Sequence, residues 1–535
     1  MLKWFKGSAT DHPLLDAKEA KRIADALSAT KNPVNALDEG SHWLTSIKAT
    51  TELVRHRRFE LICLVDAATR KAQTQLIDVY LADLKTKRHQ EKHIWNTANE
   101  FWGLLVNGYL TCAQPSRDSS NVPPKFMHLL PLLTTRGMRA LRYQMKWVSI
   151  RYGTLRSDSW AEYGRLLWLA ESAGADVADK PLAIYPGDTT QTSPRDEFLR
   201  AMAFWIALPG TLSPVEQDIA ERLIVQLTAK FRFSVEQADD CDYFFDLHGT
   251  QPPLRFVRLA PMTATTRYFS VGEARQAVKA MHAMASSIGE LPAGIDCGPG
   301  AEINVVLRVL NHLLVNWVKN LPPRAAARRK TAGSLKAAHG YPQVLAVVMK
   351  KGAEALDFSQ QLLPESWVTE DLSVGGCGAI VPAGTGEQLR VGTLVALQPA
   401  AEAIVRLSIG VIRRVSDHGE RQHRLGIQII SNSAVPVYLR TYFRTRLGTH
   451  LGTSPGARQG RDREPAILLR EQPSANGSLY LLARRDVFSG REPVEASFGS
   501  KENPHATVIL EPAGVVESGN DFDWLRYKMP QAADH

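Results

Sequence analysis

Across Pro322-Pro323 the spacing of apolar residues changes, from a return every three or four positions to near alternation. A helix repeats its faces every 3.6 residues and a strand every two, so one hydrophobic pattern cannot serve both. The chain therefore reads as a multidomain α + β protein: a helical N-terminal region, an antiparallel β-barrel, and a β-rich C-terminal extension. Helical spacing runs from about Asp16 to Leu321, in stretches such as LTSIKATTELVRHRRFELICLVD and WNTANEFWGLLVNGYL. Asp16-x-x-Glu19, Ser213-Pro214-Val215-Glu216 and Ser270-x-x-Glu273 read as capping boxes, the second with Pro at the first helical position. Breaks rich in Gly, Pro, Ser and Asp at 113–124, around 182–195 and around 287–300 separate helical hairpins within one region.

From about 366 onward, the runs LRVGTLVAL, AIVRLSIGVI, LGIQII, AILLRE, SLYLLAR and ATVILE are parted by Gly, Pro and Asn turns. That pattern belongs to an antiparallel barrel or sandwich. Between the two regimes HGYPQVLAVVM reads either as a first strand or as a short helix, and GAEALDFSQQLL as an inserted helix. The expected division is a helical region at 1–321, a barrel domain at 322–450, a flexible linker at 451–464 and a small β-rich unit at 465–535.

Charge narrows the function classes. The formal net charge of +9 is small for 535 residues, although a pI near 9.2 keeps a polyanionic ligand in play. Nucleic acid is not implied: the basic clusters Arg55-His56-Arg57-Arg58 and Lys85 to His89 lie in helical patterns and read as solvated faces. Trp95, Phe101, Trp102, Trp147, Trp160, Trp168 and Trp205 have the spacing of core positions. The five cysteines are scattered, odd in number and form no C-x-x-C, which points to a reducing compartment and a cytoplasmic protein. No run approaches the length of apolar chain that a membrane helix needs, so no membrane insertion is expected.

The chemistry concentrates in EDLSVGGCGAI, 370–380, where Asp371, Ser373 and Gly376 stand at the spacing D-x-S-x-x-G beside a strand pattern. A carboxylate accepts two N–H donors, a hydroxyl adds a rotatable partner, and a glycine lets a planar base approach the backbone. The set suits a guanine edge; its bland counterpart is a turn capped by Asp and Ser. Enzyme signatures are lacking. The string GGCGAIVPAGTG satisfies neither G-x-G-x-x-G nor a phosphate loop, Cys377 has no nearby His, and His418 and His423 lack further ligands at metal spacing. Arg413 and Arg414 sit side by side in a strand, so at most one faces a given surface, and structural roles are expected for them.

The run WVTEDLSVGGCGAIVP, then LRVGTLVAL, IVRLSIGVIRRVSD and HRLGIQII, resembles the PilZ domain, a bacterial receptor module for cyclic di-GMP. The resemblance implies a PilZ-like barrel, no catalysis and no cofactor, with cyclic di-GMP as the ligand. It assigns Arg324 and Arg328 of PPRAAARRK as the family's R-x-x-x-R clamp, with Arg329 as a stand-in. Asp371 and Ser373 would then read guanine, and Gly376 would let the base lie against the strand. An arginine fork meets a phosphate or the guanine O6/N7 edge with two parallel bonds, which lysine cannot copy. The helical region followed by this barrel is similar to uncharacterised bacterial PilZ-containing proteins, which implies a second-messenger signalling protein that acts on an unidentified protein partner through its helices. The alternative is a degenerate adaptor that binds no nucleotide, favoured by the long stretch between Arg328 and Asp371. A helical nucleic-acid binder is a weaker third reading.

Overall fold

The computed structural model describes residues 12–86, 90–114, 127–256, 263–319, 327–352, 363–373, 375–382, 389–400, 407–419, 422–442, 463–470, 477–499 and 504–529. The chain divides into two compact units, Met1–Pro322 and Pro323–His535.

The first unit runs α1 (Ala17–Ala29), α2 (Pro33–Ala49), α3 (Arg55–Ala68), α4 (Arg70–Thr86), α5 (Glu91–Ala113), α6 (Leu130–Ile150), α7 (Ser157–Ser172), α8 (Ala175–Asp179), α9 (Pro194–Ile206) and α10 (Pro214–Gln226). A small sheet follows, β1 (Arg232–Ser234), β2 (Tyr243–Asp246), β3 (Leu254–Arg255) and β4 (Thr266–Ser270), before α11 (Gly272–Ile288) and α12 (Ile303–Asn316). Asp16 caps α1 by accepting from the backbone of Lys18 and Glu19, and Ser213 with Glu216 forms the full reciprocal box at α10. The box expected at Ser270 does not form. Ser270 ends β4, its hydroxyl donates to Asp242 and accepts from Gly272 N–H, and Val271 takes the cap position. A box outside the S/T-x-x-E/Q pattern joins Ser193 to Asp196 at the start of α9.

The sheet, ordered β1-β4-β2-β3, breaks an otherwise helical region. Phe101, Trp102, Trp147 and Trp160 fill the core as expected, whereas Trp168 is 40% exposed and meets His248 edge-to-face. Of the cluster at 55–58, His56 and Arg57 lie on the solvated face expected for it, whereas Arg55 and Arg58 do not. Arg58 donates to the carbonyls of Ile47 (3.1 Å) and Thr50 (2.7 Å), closing the end of α2. Arg55 donates to Cys112 O at 2.5 Å near the end of α5. Both complete carbonyls that a helix C-terminus leaves unpaired. Of the second cluster, residues 87–89 lie outside the described residues.

Helix α6 packs against α5, α7 and α9, and buries four cations along one stripe, Arg136, Arg139, Arg142 and Lys146. Arg136 donates to Ile184 O and Cys63 O, and Arg139 to Gln73 and to Tyr185 Oη (2.6 Å). Arg142 joins Glu197 (2.9 Å) and Glu221, while Lys146 joins Asp218 (2.6 Å) and Glu221 (3.2 Å). A charge out of water persists only when paired and hydrogen-bonded in this way.

The second unit holds two closed antiparallel barrels. The first comprises β5 (Arg329–His339), β6 (Glu365–Ser373), β7 (Gly376–Pro382), β8 (Leu394–Pro399), β9 (Ser408–Asp417) and β10 (Gln422–Ser431), closing in the order β10-β7-β6-β5-β8-β9. Helix α13 (Tyr341–Gly352) follows β5, so the ambiguous segment is a strand to His339 and a helix from Tyr341. The second barrel comprises β11 (Ala434–Thr441), β12 (Glu464–Leu469), β13 (Ser478–Arg484), β14 (Val494–Gly499), β15 (Pro504–Ser518) and β16 (Phe522–Lys528), in the order β11-β12-β13-β16-β15-β14. Strand β11 lies inside the stretch 322–450 yet pairs with β12 and β14, so its partners are those of the later strands. Of the expected linker, 451–462 lies outside the described residues, and Glu464 opens β12.

The two barrels share one connectivity. In each, the first strand pairs with the second and fourth, the second with the third, the third with the sixth, the sixth with the fifth and the fifth with the fourth. One apolar cluster joins Val344 and Val348 of α13, Leu394 of β8 and Val411 of β9 to Ile467, Leu482 and Phe522 of the second barrel. Burying each such side chain contributes about 1.5–3 kcal/mol.

Candidate functional site

Strand β6 carries a bulge between Thr369 and Asp371 against β7. A bulge re-aims the residue that follows it. Thr369, before it, pairs with the buried Ala379, whereas Asp371, after it, pairs with Gly378. The Asp371 carboxylate lies over that glycine: a Cβ on Gly378 would come within 2.9 Å of Asp371 Oδ1.

Arg328, just before β5, donates through Nη1 to Asp371 Oδ1 (3.0 Å) and Oδ2 (3.2 Å). The arginine side chain is 36% exposed and the aspartate 12%. Two of the residues selected from sequence, 43 positions apart, thus meet at one corner of the first barrel. Arg329 pairs with Leu372 in the ladder and is exposed, and Arg324 lies outside the described residues.

Ser373 Oγ donates to Gly376 O at 3.1 Å, closing the turn between β6 and β7. Gly376 is required on steric grounds, since a Cβ there would sit 2.4 Å from the backbone oxygen of Ile427 on β10. Gly376→Ala should therefore force β7 and β10 apart, lowering the melting temperature of the barrel unit by several degrees in a thermal scan. An unchanged melting point would show that the strands can separate freely there.

Residues directly opposed across an antiparallel ladder project to one side of the sheet. The ladder aligns Asp371, Gly378, Gly426 and Arg414 on β6, β7, β10 and β9, and beside them Ser373, Gly376 and Gln428 on β6, β7 and β10. Between Asp371 and the exposed Arg414 the row presents two glycines in succession, Gly378 buried beneath the Asp371 carboxylate and Gly426 half-buried beside Arg414. Sequence reasoning gave Gly378, Gly426 and Gln428 no role; only the register shows that they are neighbours. Arg413 holds the structural role expected for it. It donates through Nε to Gln428 Oε1 (2.8 Å) and forks onto Glu517 of β15 (2.5 and 2.6 Å).

Burial pushes the Cys377 thiol up to about 11, so it is protonated at neutral pH and is a poor nucleophile. Among the described residues no three His, Cys, Asp or Glu side chains gather at metal-binding distance, and no helix is long and apolar enough to cross a membrane.

The helical unit supplies the remaining clue. Residues 18–239 match the family model of the N-terminal domain of the cyclic-di-GMP receptor FimW. The match runs from α1 to the residues preceding β2 and stops short of both barrels. Over that part the chain is similar to a cyclic-di-GMP receptor. No curated protein matches the chain.

Proposed function

We propose that the protein is a second-messenger signalling protein that binds cyclic di-GMP at the corner formed by Arg328, Asp371 and the β6–β7 turn. The observation that carries this reading is the meeting of the part-exposed Arg328 with the buried carboxylate of Asp371 at a corner of the first barrel. The likeness of the helical unit to part of a cyclic-di-GMP receptor supports it, as does the PilZ-like order of motifs. The five free cysteines fit a reducing, cytoplasmic setting.

The ligand carries two guanines and two phosphodiesters. A guanine N–H edge needs the Asp371 oxygens that Arg328 now occupies, so binding exchanges one partner for the other. The released guanidinium turns to a phosphate or to the O6/N7 edge, where its fork makes two charge-assisted bonds. Arg324, four residues earlier in the chain, and Arg329, the next residue, serve as further donors, and Ser373 exchanges its turn bond for a base contact beside Gly376. The ligand draws the segment before β5 onto the barrel, a shift in population that a partner of the helical unit then reads.

The second reading is a protein-interaction adaptor without nucleotide. It is favoured by the self-satisfied state of the corner, where Arg328 fills Asp371 and Ser373 fills the Gly376 carbonyl. Titration calorimetry of the full chain with cyclic di-GMP, against GTP and cyclic di-AMP, separates the two. Saturable heat with cyclic di-GMP alone is expected; its absence up to millimolar ligand leaves the adaptor.

A further inference from the structure

Arg413 stands on β9, separated by β10 from β7 of the corner just described. Gln428, which accepts from Arg413 Nε at 2.8 Å, is the ladder partner of Gly376. β7 lies two strand spacings, about 10 Å, from β9, so a ligand over the β6–β7 turn meets this guanidinium only where it extends across β10. The same guanidinium forks onto Glu517, a residue of the second barrel, at 2.5 and 2.6 Å, and its side chain is 34% exposed. Arg413 thus bridges Gln428, which neighbours β7, and the carboxylate of the neighbouring barrel.

We infer that Arg413 is a further ligand-binding arginine held back by Glu517, so that a phosphodiester at the corner and the contact between the barrels compete for the same guanidinium. The inference rests on the receptor reading. Its chemistry is an exchange of one oxyanion for another: a carboxylate and a phosphodiester both accept two parallel N–H bonds from an arginine fork. Arg413 is the extra residue of the β9 bulge that falls opposite Gly426 and Ile427, so it stands outside the regular pairing and its side chain is re-aimed. Ligand occupancy at the first barrel then reaches the second by loss of one ion pair, without a change of fold.

The test uses the full chain and cyclic di-GMP in calorimetry. Glu517→Gln removes the competing charge with little change of shape, and affinity should rise about two- to fivefold, the range of a partly exposed ion pair. Arg413→Ala should lower it about tenfold, and the double variant should match Arg413→Ala, because Glu517 acts only through Arg413. A purely structural pair would shift the melting temperature in both single variants and leave affinity alone, and that result would overturn the inference. Should Arg413→Ala melt early, Arg413→Gln keeps part of the stem and tests the same charge. Binding by the parent chain with no response to either substitution defeats the latch alone, whereas no binding by the parent defeats the receptor reading and the latch with it.

Discussion

Glu197→Ala is expected to be the most damaging single substitution in the helical unit. Glu197 accepts from Arg142 Nε at 2.9 Å, from Arg200 and from Thr192 Oγ1 at 3.0 Å, all inside the core. Removing it leaves the buried Arg142 with Glu221 as its one remaining carboxylate and the buried Arg200 with only the hydroxyls of Thr192 and Thr228. Breaking a buried pair by deleting one partner costs about 3–5 kcal/mol. For a unit of this size the loss lowers the melting temperature by about 10 °C. Helical circular dichroism on heating reads it, and a fall of less than a few degrees would show that water reaches the network. Glu197→Gln, which keeps shape and some hydrogen bonding, should fall between. Acid supplies the same test by protonation. Burial pushes the carboxyls of Glu197 and Glu221 up, but the surrounding Arg and Lys charges outweigh it and hold both at about 2, against an ordinary 4.5. A depressed folded-state value means that the stabilisation is complete above 4.5 and drains away as pH falls from there toward 2. The helical unit should therefore lose stability over that window.

Arg328→Ala and Asp371→Ala are expected to weaken cyclic di-GMP about ten- to a hundredfold each. The arginine supplies charge-assisted bonds of about 1.5–3 kcal/mol, and each 1.4 kcal/mol is a factor of ten. Part of the loss in Arg328→Ala is offset, since Asp371 no longer has to be released before guanine can bind. Asp371→Ala should instead erode selectivity: guanine N–H donors lose their acceptor, phosphate contacts remain, and cyclic di-AMP should come closer to cyclic di-GMP in affinity. Arg328→Lys should rescue only in part, because an ammonium is a point charge and not a fork. Calorimetry in parallel titrations measures all three, and binding by the parent that ignores all three substitutions would remove the corner from consideration.

The change of regime near Pro322 was legible because periodicity is written locally, and so were the capping boxes at Asp16 and Ser213. The sheet of β1 to β4 was not, because its strands span only two to five residues and show no alternation to count. The cations of α6 were illegible for a different reason. Arg136, Arg139, Arg142 and Lys146 have the spacing of a solvated face, and what buries them stands on α3, α9 and α10, far along the chain. At the corner, Asp371, Ser373 and Gly376 could be picked out by spacing, and Arg328 by resemblance. What Gly378 and Gly426 contribute depends on which strands lie beside them, and a bulge resets that register by one residue.

The shared strand connectivity of the two barrels has a consequence for how the chain reaches its native state. Neighbouring copies with one wiring diagram invite exchange of a strand between them, a known failure of tandem domains during synthesis and refolding. What prevents it here is divergence. The second and third strands of one barrel meet around DLSVGGCG and those of the other around LLREQPSANGS, and the close approach that Gly376 permits to Ile427 would be blocked by any residue with a side chain. A strand of the second barrel that carries a side chain in place of Gly376 would clash with β10 there, which disfavours that exchange.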